Sequence, residues 1–271
     1  PAKLGYAFDL SGPDKAVAML GRVNVATRLG QLAGGLVGGW LTGSVGPEAA
    51  LFAVAAGHVG GALVMLGLRT EGRARSVGTE STWDTLREYA KELRTNAELR
   101  LMVMVLGVVE VFGYAYQTLL PEIATVRLQL GPEGLGLMHA MRGFGGLIAA
   151  LLLSRAARQS RLGLKYLITV TGFGFMLLAL ALSDGPLLIG LLVASVAACA
   201  AAGDVLAQSI LQLCVPDRLR GRAMGIWVLA VGTGPVGHLQ MGALAGVAGL
   251  GFTLGLNGLI LITVGGGCLL F

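Results

Sequence analysis

Four ionisable residues lie inside long apolar segments or at their edges: Arg28, Glu110, Arg142 and Asp204. Placing a charged side chain at the centre of an apolar helix costs about 2.5–3.5 kcal/mol on membrane-insertion scales, so such residues usually face a cavity or a partner. Two of the four are acids and two are bases, which leaves pairing among them open. They are the first candidates for a functional site.

Glu110 begins a polar stripe, because Tyr114 and Gln117 follow it at i+4 and i+7 on the same face of a predicted α-helix. A polar stripe on an otherwise apolar helix is expected to face water or substrate. A carboxylate in that position is a candidate proton carrier. The alternative is a structural ion pair between Glu110 and Arg142 that fixes helix packing.

Asp204 and Gln208 form a second polar stripe at i and i+4. The alternative to a functional role is that Asp204 lies near the cytoplasmic end of its helix, where it snorkels to the interface or caps the helix. Arg28, with Gln31 three residues later, suits an anionic substrate group or a carboxylate, or simply the inner membrane interface. Arg142 lies deeper in its segment. These residues complete the candidate pathway for substrate and protons.

Glycine is the other recurrent feature. Gly30, Gly34 and Gly38 repeat every four residues, a spacing that lets a second helix approach closely. Gly143 with Gly146, and the glycines at 234, 237 and 242, predict similar packing surfaces. We expect these glycines to pack helices against each other and not to bind substrate.

The elements that must position these residues are membrane helices. Apolar residues make up 55% of the 271 residues, charged residues make up 13%, and the mean hydropathy is +0.76. Eight apolar segments have roughly the 20 residues needed to cross a bilayer. The three cysteines have no metal-binding spacing, and the sequence contains no nucleotide-binding, zinc-protease or serine-hydrolase motif. We therefore predict that the protein is not an enzyme and that it binds no metal and no cofactor.

The basic residues alternate in position along the chain. The connecting segments 1–28, 69–100, 155–165 and 216–222 hold 18 of the 20 Lys and Arg residues. Cytoplasmic loops collect these residues, so the pattern predicts a multi-pass orientation with all four segments on the cytoplasmic side. The net charge of +5 then needs no nucleic-acid partner.

This alternation gives a domain plan: a cytoplasmic loop at 1–19, two helices of an N-terminal bundle at 20–68, a linker at 69–100 and a six-helix C-terminal bundle at 101–271. The linker has apolar residues at helical spacing beside a basic face. It is predicted to contain an amphipathic helix on the inner leaflet, or alternatively a partner-binding helix.

Several motifs resemble the major facilitator superfamily, in particular its drug- and siderophore-exporter-like branches. Residues 215–225 (Val-Pro-Asp-Arg-Leu-Arg-Gly-Arg-Ala-Met-Gly) resemble the basic loop between helices ten and eleven, and 154–161 resemble the one between helices eight and nine. Residues 30–35 are similar to the antiporter motif of the fifth helix, with Gln31 in place of Pro. Leu120-Pro121 is similar to the end of the seventh helix.

The resemblance implies helices five to twelve of a twelve-helix, all-α fold, with four helices upstream of this fragment. It also implies a secondary transporter that works by alternating access in a bacterial-type inner plasma membrane. We expect proton-coupled export of a small amphiphilic molecule, with the proton gradient as the energy source. Uptake or facilitated diffusion without proton coupling and a non-transporting membrane scaffold are the alternatives.

Overall fold

The computed structural model of the chain describes residues 16–67, 87, 91, 93–155, 161–214, 227 and 230–270. Eight long helices and no strand occur in these ranges, which confirms the all-α fold. They are α1 (Ala16–Ser44), α2 (Pro47–Leu66), α3 (Ala97–Arg127), α4 (Pro132–Arg155), α5 (Leu162–Leu182), α6 (Pro186–Cys214), α7 (Gly234–Ala248) and α8 (Leu250–Leu270).

Six of these helices, α2 to α6 and α8, are long and apolar enough to cross a membrane. The chain is thus a polytopic membrane protein, while the count of eight spans stays a prediction. Within the described residues α7 has only 15 residues, and glycine and polar side chains lower the hydropathy of α1. Most of the predicted linker at 69–100, residues 1–15 of the predicted loop at 1–19, the basic loop at 215–225 and most of the motif at 154–161 lie outside the described residues. Residues 16–19 of the predicted loop already belong to α1.

Tight turns separate consecutive helices. Gly46, with φ of 120°, precedes Pro47 at the start of α2, and Gly249, with φ of 85°, joins α7 to α8. Positive φ strains residues that carry a Cβ, so glycine suits both turns.

The third helix departs from regular α geometry, which the sequence analysis did not predict. It is α-helical over Ala97–Val108, forms a π-helical turn over Val109–Gly113 and a 3₁₀ segment over Tyr114–Leu119, and ends in a second π turn over Ile123–Arg127. Short π segments interrupt helices frequently at functional sites. The change of pitch alters which side chains share a face.

Close helix contacts are built on glycine, but on a different stripe of α1 from the one predicted. Cβ atoms added at Gly30, Gly34 and Gly38 would meet nothing within 4 Å. A Cβ at Gly35 would lie 2.7 Å from the Ala140 backbone nitrogen of α4, and Gly39 packs equally closely on α4. Among the described residues the contact of α1 with α4 therefore uses the glycines one position after the predicted stripe, and the role of Gly30, Gly34 and Gly38 in packing stays a prediction.

The remaining helices pack in a continuous chain of contacts: α4 on α6, α6 on α5, and α5 on α8, with α7 against α3. Gly174 of α5 and Gly258 of α8 approach each other through their backbones. Gly143 packs on α1 and Gly237 on α3, as the sequence predicted. By contrast, α2 buries no side chain and exposes a long apolar surface, as expected of a helix surrounded by lipid.

Candidate functional site

Five of the seven candidate residues meet around one cavity of about 260 Å³ between α1, α3, α4 and α6. These five are Arg28, Tyr114, Gln117, Arg142 and Asp204. Gln31, Tyr116 and three alanines of α6 complete the lining. Residues from four helices, separated by up to 176 positions between Arg28 and Asp204, thus form one polar site within an apolar bundle.

The two remaining candidates do not line this cavity. Glu110 is half-buried in the first π turn of α3, and a Cβ at Gly234 of α7 would lie 3.4 Å from its Oε1. Gln208 is half-buried on α6 and lines neither of the two cavities described here. In the described part of the chain no ion pair joins Glu110 to Arg142, so the predicted structural pair between these two helices is not formed.

Glu110 differs from the other two members of its predicted stripe. Residues three apart are eclipsed in a 3₁₀ segment, so Tyr114 and Gln117 point the same way and both line the cavity. Glu110 lies in the π turn before them, where α3 meets Gly234 of α7, and it is not part of the cavity lining. The i, i+4, i+7 spacing therefore did not bring all three side chains to one cavity.

Tyr114 is held in place from two sides. Its hydroxyl donates a hydrogen bond of 2.6 Å to the Ala200 carbonyl of α6. Its ring meets Phe173 of α5 edge-on at 5.9 Å between centroids, and Tyr116 meets the same ring at 6.3 Å. These contacts fix the aromatic wall of the cavity.

Two guanidinium groups line the cavity from α1 and α4. The Arg28 side chain lies across Gly146, where a Cβ would come within 2.8 Å of Arg28 Cδ, and its Nη1 donates to Gln31 Oε1 at 3.1 Å. The Nη1 of Arg142 lies 3.2 Å from His139 Nδ1. The Nε of Arg142 is buried and has no hydrogen-bond partner among the described residues. A buried donor without a partner is costly, which favours a site that a ligand completes.

Asp204 is the acid of the cavity. It follows the alanine run at 200–202 and Gly203, whose small side chains leave the space that the cavity occupies. The carboxylate lies well inside α6 and lines the cavity, so it does not cap a helix end. With Arg28 and Arg142 it gives the cavity two formal positive charges and one negative charge.

A second cavity, of about 440 Å³, adjoins the first and shares Gln31 and Arg142 with it. It runs between α1 and α4 toward Thr42 and the start of α4 at Pro132. Its lining is mostly glycine and apolar, and it includes the open stripe of Gly30, Gly34 and Gly38. The open glycine stripe therefore forms a groove where the sequence predicted a helix contact.

Sequence reasoning missed two tyrosines of this region. Tyr116 lines the cavity, and the buried hydroxyl of Tyr166 has no partner among the described residues. A Cβ at Gly203 would lie 3.9 Å from the Tyr166 ring and 4.0 Å from the Tyr114 hydroxyl. The sequence of α5 gives no signal for Tyr166, since no polar stripe accompanies it and it packs against α6 only in the folded bundle.

His58, His238 and Arg127 lie outside both cavities and make contacts within or between helices. His238 Nδ1 lies 2.7 Å from Thr118 Oγ1, which ties α7 to α3, and His58 bonds to a carbonyl of its own helix. Arg127 donates to the carbonyls of Leu180 and Ala181 near the end of α5, at 3.0 and 2.8 Å, and pairs with Asp184 at 3.5 Å. No group of His, Cys, Asp and Glu side chains in the described ranges could hold a metal ion.

The geometry therefore provides a polar cavity at the contact of α1 with α4 and α6, an adjacent apolar groove, and a carboxylate in an irregular segment of α3. The family model described as transmembrane secretion effector matches residues 14–270, almost the whole chain. No curated protein matches the chain. The chain therefore belongs to the transmembrane secretion effector family of the major facilitator superfamily, whose members are membrane transporters.

Proposed function

We propose that the protein is a secondary transporter that exports a small amphiphilic molecule in exchange for protons. The cavity that Arg28, Arg142, Asp204 and Tyr114 line is the observation that carries this proposal. It lies where α1, the helix assigned to the N-terminal bundle, meets helices of the C-terminal bundle. Alternating access requires a binding site of this kind between two parts that rock against each other.

Glu110 is the proposed proton carrier, separate from the substrate cavity. It lies in the π turn of α3 beside Gly234, where α7 packs on α3. Protonation there changes the charge at a helix contact, while substrate binds between α1, α4 and α6. The two ligands then favour different arrangements of the same bundle, which is the condition for exchange.

The helix contacts support sliding between α1 and α4. Both helices expose backbone to each other at Gly35, Gly39 and Gly136, so no long side chains interlock there. The distribution of Lys and Arg supports a bacterial-type inner membrane with the 69–100 linker on the cytoplasmic side. Export is proposed as the direction of transport by analogy with the drug- and siderophore-exporter-like branches of the superfamily.

The test is Glu110→Gln in the full-length transporter, reconstituted in proteoliposomes with an imposed pH gradient. We expect substrate flux to lose its dependence on the gradient while substrate binding persists. Glu98→Gln is the matched control, because Glu98 is an exposed acid in the first turn of the same helix. Unchanged coupling in Glu110→Gln would remove this residue from the mechanism.

A further inference from the structure

We infer that the two adjoining cavities bind an amphiphile with one anionic group, held between Arg28 and Arg142, and an apolar tail that lies along the glycine groove of α1. The inference rests on the proposed function and specifies its substrate class. Nothing in the family assignment states the charge of the substrate. It follows from the charges, the unpartnered donor and the shape of the site.

The charge balance favours an anion. The cavity of about 260 Å³ carries two guanidinium groups against one carboxylate, and no ion pair joins Asp204 to either arginine among the described residues. Arg142 Nε is buried without a partner, so one donor is left for a ligand atom. Guanidinium groups bind carboxylate, sulfonate and phosphate oxygens through charge-assisted hydrogen bonds, which are stronger than neutral ones.

The shape of the adjoining cavity favours an apolar tail. The groove begins at Gln31 and Arg142, beside the arginine pair, and extends to Thr42. At 1.5 Å per residue this is a length of about 17 Å. Because Cβ atoms at Gly30, Gly34 and Gly38 would meet nothing within 4 Å, these glycines leave space along the groove and do not hold α1 to α4.

The charge of Asp204 predicts how ligand affinity changes when that charge is removed. Its negative charge lies in the same cavity as both arginines and opposes an anionic ligand. Removing this charge should therefore strengthen the binding of an anion, whereas it should weaken the binding of a cation. A substrate with a cationic group would show the reverse response.

The experiment measures equilibrium binding by calorimetry to the full-length transporter in phosphatidylcholine nanodiscs, without a proton gradient. The probes share a ten-carbon tail and differ in head group: decanesulfonate, decyl maltoside and decyltrimethylammonium. We expect decanesulfonate to bind at least ten-fold more tightly than the cationic probe. Arg142→Gln should reduce its affinity about ten-fold and Asp204→Asn should raise it about three-fold or more. Arg100→Gln, at an exposed arginine of α3, is the control and should change nothing.

The groove is tested with alkanesulfonates of increasing length. Each methylene should raise the affinity about four-fold in the unmodified protein until the groove is filled. Gly34→Leu should end this rise at a shorter chain, because its side chain extends into the groove from a position where a Cβ meets nothing within 4 Å. Gly61→Leu is the control, since Gly61 is an exposed glycine of α2 with equally open surroundings.

Equal or tighter binding of the cationic or neutral probe would overturn the inference, as would an unaltered chain-length profile in Gly34→Leu. These binding results do not depend on proton coupling, so they can fail or succeed independently of the Glu110→Gln test. A further arm replaces part of the phosphatidylcholine with phosphatidylglycerol. Displacement of decanesulfonate identifies the anionic amphiphile as a membrane lipid, and no displacement identifies it as a soluble substrate.

Discussion

Replacing either of two adjacent glycines of α1 with alanine should change the stability of the protein, but in opposite directions. Gly35 faces α4, where an added Cβ would lie 2.7 Å from Ala140 N, 2.8 Å from Gly136 O and 3.0 Å from His139 Cβ. Two of these three atoms belong to the backbone, so no side chain can turn aside to make room. Gly34 faces the groove, where an added Cβ meets nothing within 4 Å.

The expected changes in the free energy of unfolding follow from these distances. Gly34→Ala should stabilise the helix by about 0.5–1 kcal/mol, because alanine loses less backbone entropy than glycine when it becomes helical. Gly35→Ala has the same helical gain, but it forces α1 and α4 apart, and overpacking of this kind costs about 1–3 kcal/mol. Contact with backbone on the far side places the cost toward the upper end of that range. Because the helical gain is the same in both variants, Gly35→Ala should be the less stable one by about 2–3 kcal/mol.

The measurement is unfolding of the full-length protein in mixed micelles with increasing dodecyl sulfate, followed by circular dichroism for both variants and the unmodified protein. Gly57→Ala on α2 is a control for helix propensity alone, since Gly57 is exposed and has nothing within 4 Å of an added Cβ. It should resemble Gly34→Ala. Equal stability of the two α1 variants, or a lower stability of Gly34→Ala, would refute the register of the α1–α4 contact.

Two further predictions concern contacts between helix ends and between helices. Arg127→Gln should destabilise the protein by about 1.5–3 kcal/mol, because two charge-assisted hydrogen bonds to the end of α5 are lost. Asp184→Asn should cost less than about 1 kcal/mol in the same unfolding assay, since Asp184 is 89% exposed. Thr118→Val should cost about 0.6–1.7 kcal/mol by removing the bond to His238, and Thr125→Val, whose hydroxyl bonds within its own helix, should cost less.

Much of the architecture could be predicted from composition and charge. The length of the apolar segments predicted the helices, because the requirement to satisfy backbone groups in lipid leaves few alternatives to long helices. The same argument singled out Arg28, Arg142 and Asp204, since a charged group in an apolar helix is costly unless it faces a cavity or a partner. Five of the seven candidates share one cavity for that reason.

The errors all arose from local geometry that depends on neighbouring helices. The regular spacing of Glu110, Tyr114 and Gln117 predicted one shared site, but only Tyr114 and Gln117 line the cavity, while Glu110 lies beside Gly234 of α7. The repeat of Gly30, Gly34 and Gly38 has the same form as that of Gly35, Gly39 and Gly43, so the sequence could not indicate which stripe meets α4.

The sequence by itself therefore determined that the chain is a bundle of membrane helices with a few costly charged residues and a family resemblance that the family match confirms. These properties depend on the free energy of transfer of each segment, which is a sum over its own residues. Only the tertiary structure decided that Arg28, Arg142 and Asp204 share a cavity, that Glu110 lies apart from it, and which glycines are open. Those properties depend on the rotation of each helix about its axis, which is set by close packing against residues distant in the chain.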